Sequence, residues 1–123
     1  METVKERLPN GLPKGMITYT HPDKAIRPVN QKVLTAIDEL PAIPFTVTSL
    51  TSTAEEDKIL ERKSATHLEG RALDVRYDDN GHKLVGWITQ TSEGNAWAKR
   101  HGVSILPHGD KGNNMHYHIQ FSR

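Results

Sequence analysis

The alternation of apolar and polar residues is clearest at positions 115–121, where it is typical of a β-strand. Tyr117, Ile119 and Phe121 fall on one face, and His116, His118 and Gln120 fall on the other. The apolar face predicts packing into a core, so both imidazoles project from the opposite face, about 7 Å apart along the strand. The pattern therefore predicts a pair of histidines on the open face of a sheet.

Segment 71–77 alternates in the same way and places Asp74 on its polar face beside the small Ala72. Gly70, just before this strand, can adopt a turn conformation closed to other residues. Such a turn lets His67 fold back toward Asp74. We therefore expect these two side chains to lie together.

The surest helix begins near Pro28, where apolar residues recur at helical spacing from Val29 to Leu40, and ends at Pro41. The capping-box pattern from Thr53 predicts a short helix to about Arg62. Further strands are predicted at 16–20, 45–50 and 103–106. The remaining elements are a turn at 78–81, a helix at 84–101 that Gly94-Asn95 could interrupt, and a loop at 107–114. A hairpin from the turn onto 84–88 is the alternative to that helix.

Length and composition predict one α+β domain over residues 1–123, with an antiparallel sheet packed against helices. Residues 1–24 are rich in proline and glycine and predict loop, and residues 45–121 form the motif-bearing core. The chain has no cysteine, which excludes disulfides, thiolate metal sites and a cysteine nucleophile. We expect a monomer.

Charge and hydropathy bear on which classes of partner the protein could bind. The net charge of +1, from 16 basic and 15 acidic residues, gives no strong field for nucleic acid. Residues 1–7 contain no apolar run, so the sequence predicts neither a signal peptide nor membrane insertion, but a soluble protein made in the cytoplasm.

The polar residues on the two strands suit a metal ion. Imidazole and carboxylate are zinc ligands, and a catalytic zinc site uses three protein ligands plus a water. His67, Asp74 and one histidine of the C-terminal pair make such a set. Non-haem iron uses the same trio, but its usual His-x-Asp spacing is absent here.

The motif His67-x-x-Gly70-x-Ala72-x-Asp74, followed by His116-x-His118, resembles the signature of the zinc D-Ala-D-Ala carboxypeptidase and L,D-endopeptidase group. Its relatives include penicillin-insensitive murein endopeptidase and the hedgehog signalling domain. The resemblance covers about residues 45–121. It implies that His67, Asp74 and His118 hold Zn²⁺ and that His116 is a catalytic or supporting group.

The chain departs from that pattern at the general base. Many members carry a glutamate three to six residues before the last ligand, whereas residues 112–115 contain no carboxylate. Asp110 is the nearest candidate and lies two residues too early. A serine and an arginine common in the group are also missing, since Ala65 stands at one position and Leu50-Thr51-Ser52 follows Thr48-Ser49.

Several further residues could have either a functional or an ordinary structural role. Arg71 and Arg76 flank the site strand, and either could bind a substrate carboxylate or form an ordinary salt bridge. His108 is a candidate for substrate contact. Three other histidines are predicted at the surface: His21, His82 and His101. Both tryptophans, Trp87 and Trp97, are predicted in the core.

The resemblance implies a zinc peptidase that cleaves peptides of bacterial peptidoglycan. A short chain without an export signal is similar to a phage endolysin or virion-associated lysin, which acts at the cell wall. The alternatives are a D,D-dipeptidase or carboxypeptidase on soluble peptides, a non-catalytic module with structural zinc, and a virion structural protein of the same fold.

Overall fold

The computed structural model describes residues 8, 11–12, 17–21, 23, 27–59, 67, 69–110 and 113–122, with backbone alone at 108–110 and 113–114. Within these ranges the chain forms a small α+β domain, as predicted. It contains, in chain order, β1 (Ile17–Tyr19), α1 (Gln31–Asp38), β2 (Phe45–Ser49), α2 (Ala54–Ile59), β3 (Ala72–Arg76), α3 (Asp79–Gln90), α4 (Ser92–His101), β4 (Val103–Asp110) and β5 (Asn113–Phe121).

The five strands form one sheet in the order β1-β2-β3-β5-β4. Strand β1 runs parallel to β2, and the other neighbours are antiparallel. The sheet is therefore mixed, and the expectation of an antiparallel sheet was wrong at this edge. The chain between β1 and β2 passes through α1, and such a crossover returns it to the end from which a parallel strand begins.

The predicted first helix is confirmed as α1. The side chain of Asn30 accepts a hydrogen bond from the Lys32 amide at 3.0 Å, so the helix begins after Asn30 and Pro28 precedes it. Its buried residues are Val33, Ala36 and Ile37, which belong to the predicted apolar stripe.

Helix α2 carries the predicted capping box. The Glu56 amide donates to Thr53 Oγ1 at 3.2 Å, and the Thr53 amide donates to Glu56 Oε1 at 3.0 Å. The rest of the predicted helix, beyond residue 59, lies outside the described residues. So does most of the loop predicted for residues 1–24.

The turn predicted at 78–81 was wrong, because these residues begin α3. The Asp78 carboxylate accepts a hydrogen bond from the Gly81 amide at 2.8 Å and caps the helix. Aspartate and glycine at this spacing serve a turn and a helix start equally well.

The single helix predicted over 84–101 is two helices that meet at Thr91, not at Gly94-Asn95. Thr91 Oγ1 accepts from the Gly94 amide at 2.9 Å and donates to the Trp87 carbonyl at 2.6 Å. A Cβ at Gly94 would lie 1.8 Å from that carbonyl oxygen, so the corner requires glycine. Gly102, with φ of 62°, ends α4 as predicted.

The loop predicted at 107–114 was also wrong, since β4 continues to Asp110 and β5 begins at Asn113. Pro107 lies within β4. Proline is tolerated there because β4 is an edge strand, where a missing amide donor need not interrupt the sheet.

The core lies between one face of the sheet and helices α1, α3 and α4. Trp97 is 2 % exposed, and its indole donates to the Ala36 carbonyl at 2.9 Å. Its ring packs edge-on against Phe121, with centroids 6.1 Å apart. Trp87 is half-buried against the same core, so both tryptophans pack as predicted. No helix in the described ranges is long and apolar enough to cross a membrane.

Candidate metal centre

Three polar side chains converge on the sheet face opposite the helices. Asp74 and His118 are direct partners in the β3–β5 ladder. Asp74 Oδ1 lies 3.1 Å from His67 Nε2 and 3.2 Å from His118 Nδ1. One ligand atom from each residue lies within 4.8 Å of the others, so the three could hold a metal ion.

His67 reaches Asp74 through a tight turn at Gly70. The Gly70 amide donates to the His67 carbonyl at 3.0 Å, and Gly70 has a φ of 68°. A Cβ at Gly70 would lie 3.1 Å from backbone atoms of Val29 and Asn30. The turn predicted from the sequence is confirmed, and glycine is required by both its dihedral angle and this close approach.

The second nitrogen of each imidazole faces an oxygen acceptor. His67 Nδ1 lies 2.7 Å from the Leu50 carbonyl oxygen, and His118 Nε2 lies 3.0 Å from Gln120 Oε1. A carbonyl oxygen only accepts, so a ring that binds a metal ion through its other nitrogen carries its proton on the nitrogen beside that oxygen. In that tautomer the lone pairs of His67 Nε2 and His118 Nδ1 point toward Asp74 Oδ1.

Two ring lone pairs and a carboxylate oxygen are all acceptors, and they meet at one point. Either a shared proton or a metal ion satisfies them, and hydrogen bonds of this outer kind orient imidazole ligands in metal sites. The donor set therefore fits a cation that takes nitrogen and oxygen ligands.

The site is buried and electrostatically suited to a cation. The exposed fractions are 2 % for His67, 6 % for Asp74 and 9 % for His118. Burial alone would raise the pKa of Asp74. When the rings are protonated, the hydrogen bonds that His118 and His67 donate to it, with the charges of His67 and His116, outweigh burial and lower that pKa well below its usual value. The carboxylate consequently stays ionised.

His116 lies at the margin of this group. Its Nε2 is 3.7 Å from Asp74 Oδ2, and its side chain is 30 % exposed. It is the cross-strand partner of Arg76, next along the ladder from the Asp74–His118 pair. His116 is thus close to the three candidate ligands yet open to solvent, and its catalytic role stays a prediction.

The two arginines that flank β3 differ in their surroundings. Arg71 Nε donates to Glu69 Oε1 at 2.7 Å, and Arg71 Nη1 donates to the Phe121 carbonyl at 2.6 Å. The salt-bridge alternative is therefore what the structure shows for Arg71, while its predicted contact with substrate stays a prediction. Arg76 is exposed and shares the alternating face of Asp74.

For the candidate residues His108 and Asp110 the structure describes only the backbone. His108 pairs with His116 in the β4–β5 ladder, and Asp110 pairs with Asn113. The side chains of His108 and Asp110 lie outside the described residues, so their predicted roles in substrate contact and catalysis stay predictions.

The other histidines lie at the surface or at helix ends. His21 and His82 are exposed, and His82 Nδ1 contacts the Tyr117 hydroxyl at 2.8 Å. His101, at the end of α4, contacts Glu39 Oε1 at 3.0 Å. In the described part of the chain, none of these three belongs to a group that could hold a metal.

No protein-family model, curated protein or solved structure matches the chain. The resemblance to the zinc carboxypeptidase and endopeptidase group therefore stays a prediction carried by the motif residues.

Sequence reasoning did not identify the partners that orient the two imidazoles. Gln120 carried a usable signal, because it lies two residues from His118 on the same face of β5. The Leu50 carbonyl carried none, since a backbone group has no signature in the sequence.

Replacing Gln120 by leucine should lower zinc affinity about 10- to 100-fold, because His118 loses the acceptor that orients its ring. Gln120→Glu retains an acceptor and should bind zinc as the unmodified protein does. Competition with a chromophoric chelator measures both, with Gln90→Leu as the control at an exposed glutamine. Equal affinities in Gln120→Leu and Gln90→Leu would contradict the role given to Gln120.

Proposed function

We propose that the protein is a zinc-dependent peptidase that cleaves peptide bonds in the stem or cross-link peptides of bacterial peptidoglycan. The observation that carries this proposal is the convergence of His67 Nε2, Asp74 Oδ1 and His118 Nδ1 in one buried group. Two histidines and one carboxylate are a ligand set of catalytic zinc sites, which keep a fourth position for water.

Zinc bound by His67, Asp74 and His118 would supply a water of lowered pKa and a Lewis acid for the scissile carbonyl. The Leu50 carbonyl and Gln120 orient the two imidazoles, and the ionised Asp74 carboxylate contributes negative charge. These residues orient the three ligand atoms that would hold the ion.

His116 is the residue best placed to move a proton. It is partly exposed, it lies beside Asp74, and a general base must come within hydrogen-bond reach of the proton that it takes. It accepts the proton of the attacking water and delivers it to the leaving amine, or it stabilises the developing oxyanion. Asp110 is the second choice for the base.

The substrate class comes from the motif resemblance and not from the fold. Peptidoglycan stem peptides are the substrates of that group, and the motif resemblance supports a phage endolysin or a virion-associated lysin as the kind of enzyme proposed. The bond is an L-Ala–D-Glu bond, a D,D cross-link or a terminal D-Ala bond.

The test is clearing of purified bacterial cell walls by the purified protein, with and without a chelator, followed by addition of zinc. The proposal expects turbidity loss that the chelator stops and zinc restores, and mass spectrometry of the fragments identifies the bond. A protein that contains one zinc ion, clears no walls and releases no D-Ala from wall peptides would overturn the enzymatic proposal.

A non-catalytic module with structural zinc is the second candidate. The burial of all three candidate ligands favours it, since structural zinc sites are closed to solvent, and residues 112–115 offer no carboxylate as a base. If the zinc is structural, its removal should lower the melting temperature, and the zinc-loaded protein should leave wall peptides uncleaved. Hydrolysis of wall peptides would decide for the peptidase.

Arg76 is the better candidate for a substrate carboxylate, because it lies on the face that carries Asp74 and His116 and its side chain is exposed. Arg76→Ala should lower kcat/KM about 10- to 100-fold on peptides with a free carboxylate beside the scissile bond. The same peptides as carboxamides should show little change. Kinetics on acid and amide pairs measure this, with Arg100→Ala as control. An unaltered ratio between acid and amide would exclude Arg76 from this role.

A further inference from the structure

Residues 27–30, called here the anchoring segment, lie next to both loops that hold His67. On one side, the Asn30 amide donates to the Gly70 carbonyl at 3.0 Å, and Gly70 in turn bonds the His67 carbonyl. On the other side, Arg27 and Pro28 both bond Thr51. The segment precedes the metal-site motif by some forty positions and belongs to none of its elements.

Thr51 stands between two residues that bond His67 directly. The Leu50 carbonyl faces His67 Nδ1 at 2.7 Å, and the Ser52 amide donates to the His67 carbonyl at 3.1 Å. A shift of Thr51 therefore moves one contact with the ring of His67 and one with its backbone.

The anchoring segment holds Thr51 by its carbonyl and its hydroxyl group. Arg27 Nη1 donates to the Thr51 carbonyl at 3.2 Å, and Thr51 Oγ1 donates to the Pro28 carbonyl at 2.6 Å. Arg27 is fixed in turn by a two-pronged contact with Glu56, in which Nη1 and Nη2 face Oε1 and Oε2 at 2.5 and 3.3 Å. The side chains of this ion pair are 28 % and 25 % exposed, so water screens it only in part.

We infer that Arg27 is a positioning residue for the candidate metal centre. Through Thr51 it holds the Leu50 carbonyl against His67 Nδ1, which orients the ring with Nε2 toward Asp74 and the metal position and gives the Nδ1 proton its acceptor. The inference rests on the proposed zinc site. Arginine suits the task because its planar fork engages the Glu56 carboxylate and a carbonyl oxygen at once, which the ammonium group of lysine does with less directional control.

The test compares Arg27→Met and Arg27→Lys with Arg100→Met. Arg100 also donates to a glutamate, Glu39, so the control removes an equal charge and an ion pair at a site on the helices. Two quantities are measured: zinc affinity by chelator competition, and the His67 tautomer by long-range ¹H–¹⁵N correlation NMR of the metal-free protein. Circular dichroism shows whether each variant is folded.

Arg27→Met is expected to bind zinc about 10-fold more weakly, because the orientation of a ligand imidazole is worth at least that much. The Nδ1–H signal of His67 should give way to a mixture of tautomers, Arg27→Lys should recover part of both effects, and Arg100→Met should change neither. A folded Arg27→Met with unchanged affinity and tautomer would overturn the inference.

Two further outcomes are decisive. If Arg27→Met does not fold, Glu56→Gln replaces it, since glutamine can keep the capping box with Thr53 and weakens the ion pair that fixes Arg27; unchanged affinity and tautomer there also overturn the inference. If the unmodified protein binds no zinc, the proposed function fails. The tautomer measurement on the metal-free variants then decides the role of Arg27 alone.

Discussion

Replacing Asp74 by alanine should abolish stoichiometric zinc binding and, with it, peptidase activity. Asp74 Oδ1 is the atom on which both ring nitrogens converge, so its removal leaves two imidazoles without the negative charge that balances the ion. His67→Ala and His118→Ala should have the same effect, because each leaves only two protein ligands. Zinc content after dialysis and wall-clearing rate are the two measurements.

The matched control for the three ligands is His101→Ala. It removes a histidine that contacts a carboxylate, Glu39, outside the group of three. That variant should retain one zinc ion per chain and full activity. Full activity in His67→Ala would refute the zinc peptidase as a whole, whereas zinc loss in His101→Ala would show that the assay reports general instability.

His116→Ala should retain zinc and lose about 10²- to 10⁴-fold in kcat, the contribution typical of a general acid or base. The reason is its position: its Nε2 lies 3.7 Å from the far oxygen of Asp74, and it is outside the group of three ligand residues. Zinc content and steady-state kinetics on purified wall peptides separate the two effects.

His21→Ala is the control for His116, since it removes another exposed histidine. Zinc loss in His116→Ala would show that His116 is a ligand, and the roles given to the two histidines of β5 would then be wrong. An unchanged zinc content together with an unchanged kcat would indicate Asp110 as the general base.

Alternation along a strand is a local property, so the sequence predicted which face of its strand each polar residue occupies. The faces of β3 and β5 followed from the two-residue period, and the turn at His67 followed from Gly70. The convergence of His67, Asp74 and His118 needed only that β3 and β5 pair in this register. Local patterns do not specify that pairing. Zinc-ligand chemistry left open which histidine of the C-terminal pair joins His67 and Asp74, and the motif resemblance implied His118.

Pairing partners and connections were harder, because they depend on contacts distant in sequence. Nothing in residues 17–19 specifies that β1 runs parallel to β2. Pro107 and the glycines near it suggested a loop, and only the edge position of β4 explains why the strand continues. Asp78 and Thr91 act as helix caps through side-chain bonds that the same residues make in turns.

The place of β5 in the sheet has a consequence for the order of folding. It is the fifth strand along the chain, yet it lies between β3 and β4. In the described ranges β4 pairs with no other strand, so β4 cannot join the sheet until β5 has inserted beside β3. His118 arrives with that insertion, 44 positions after Asp74. Zinc capture would therefore be among the last events of folding, and the rate at which a refolding chain acquires metal should report the docking of its final strand.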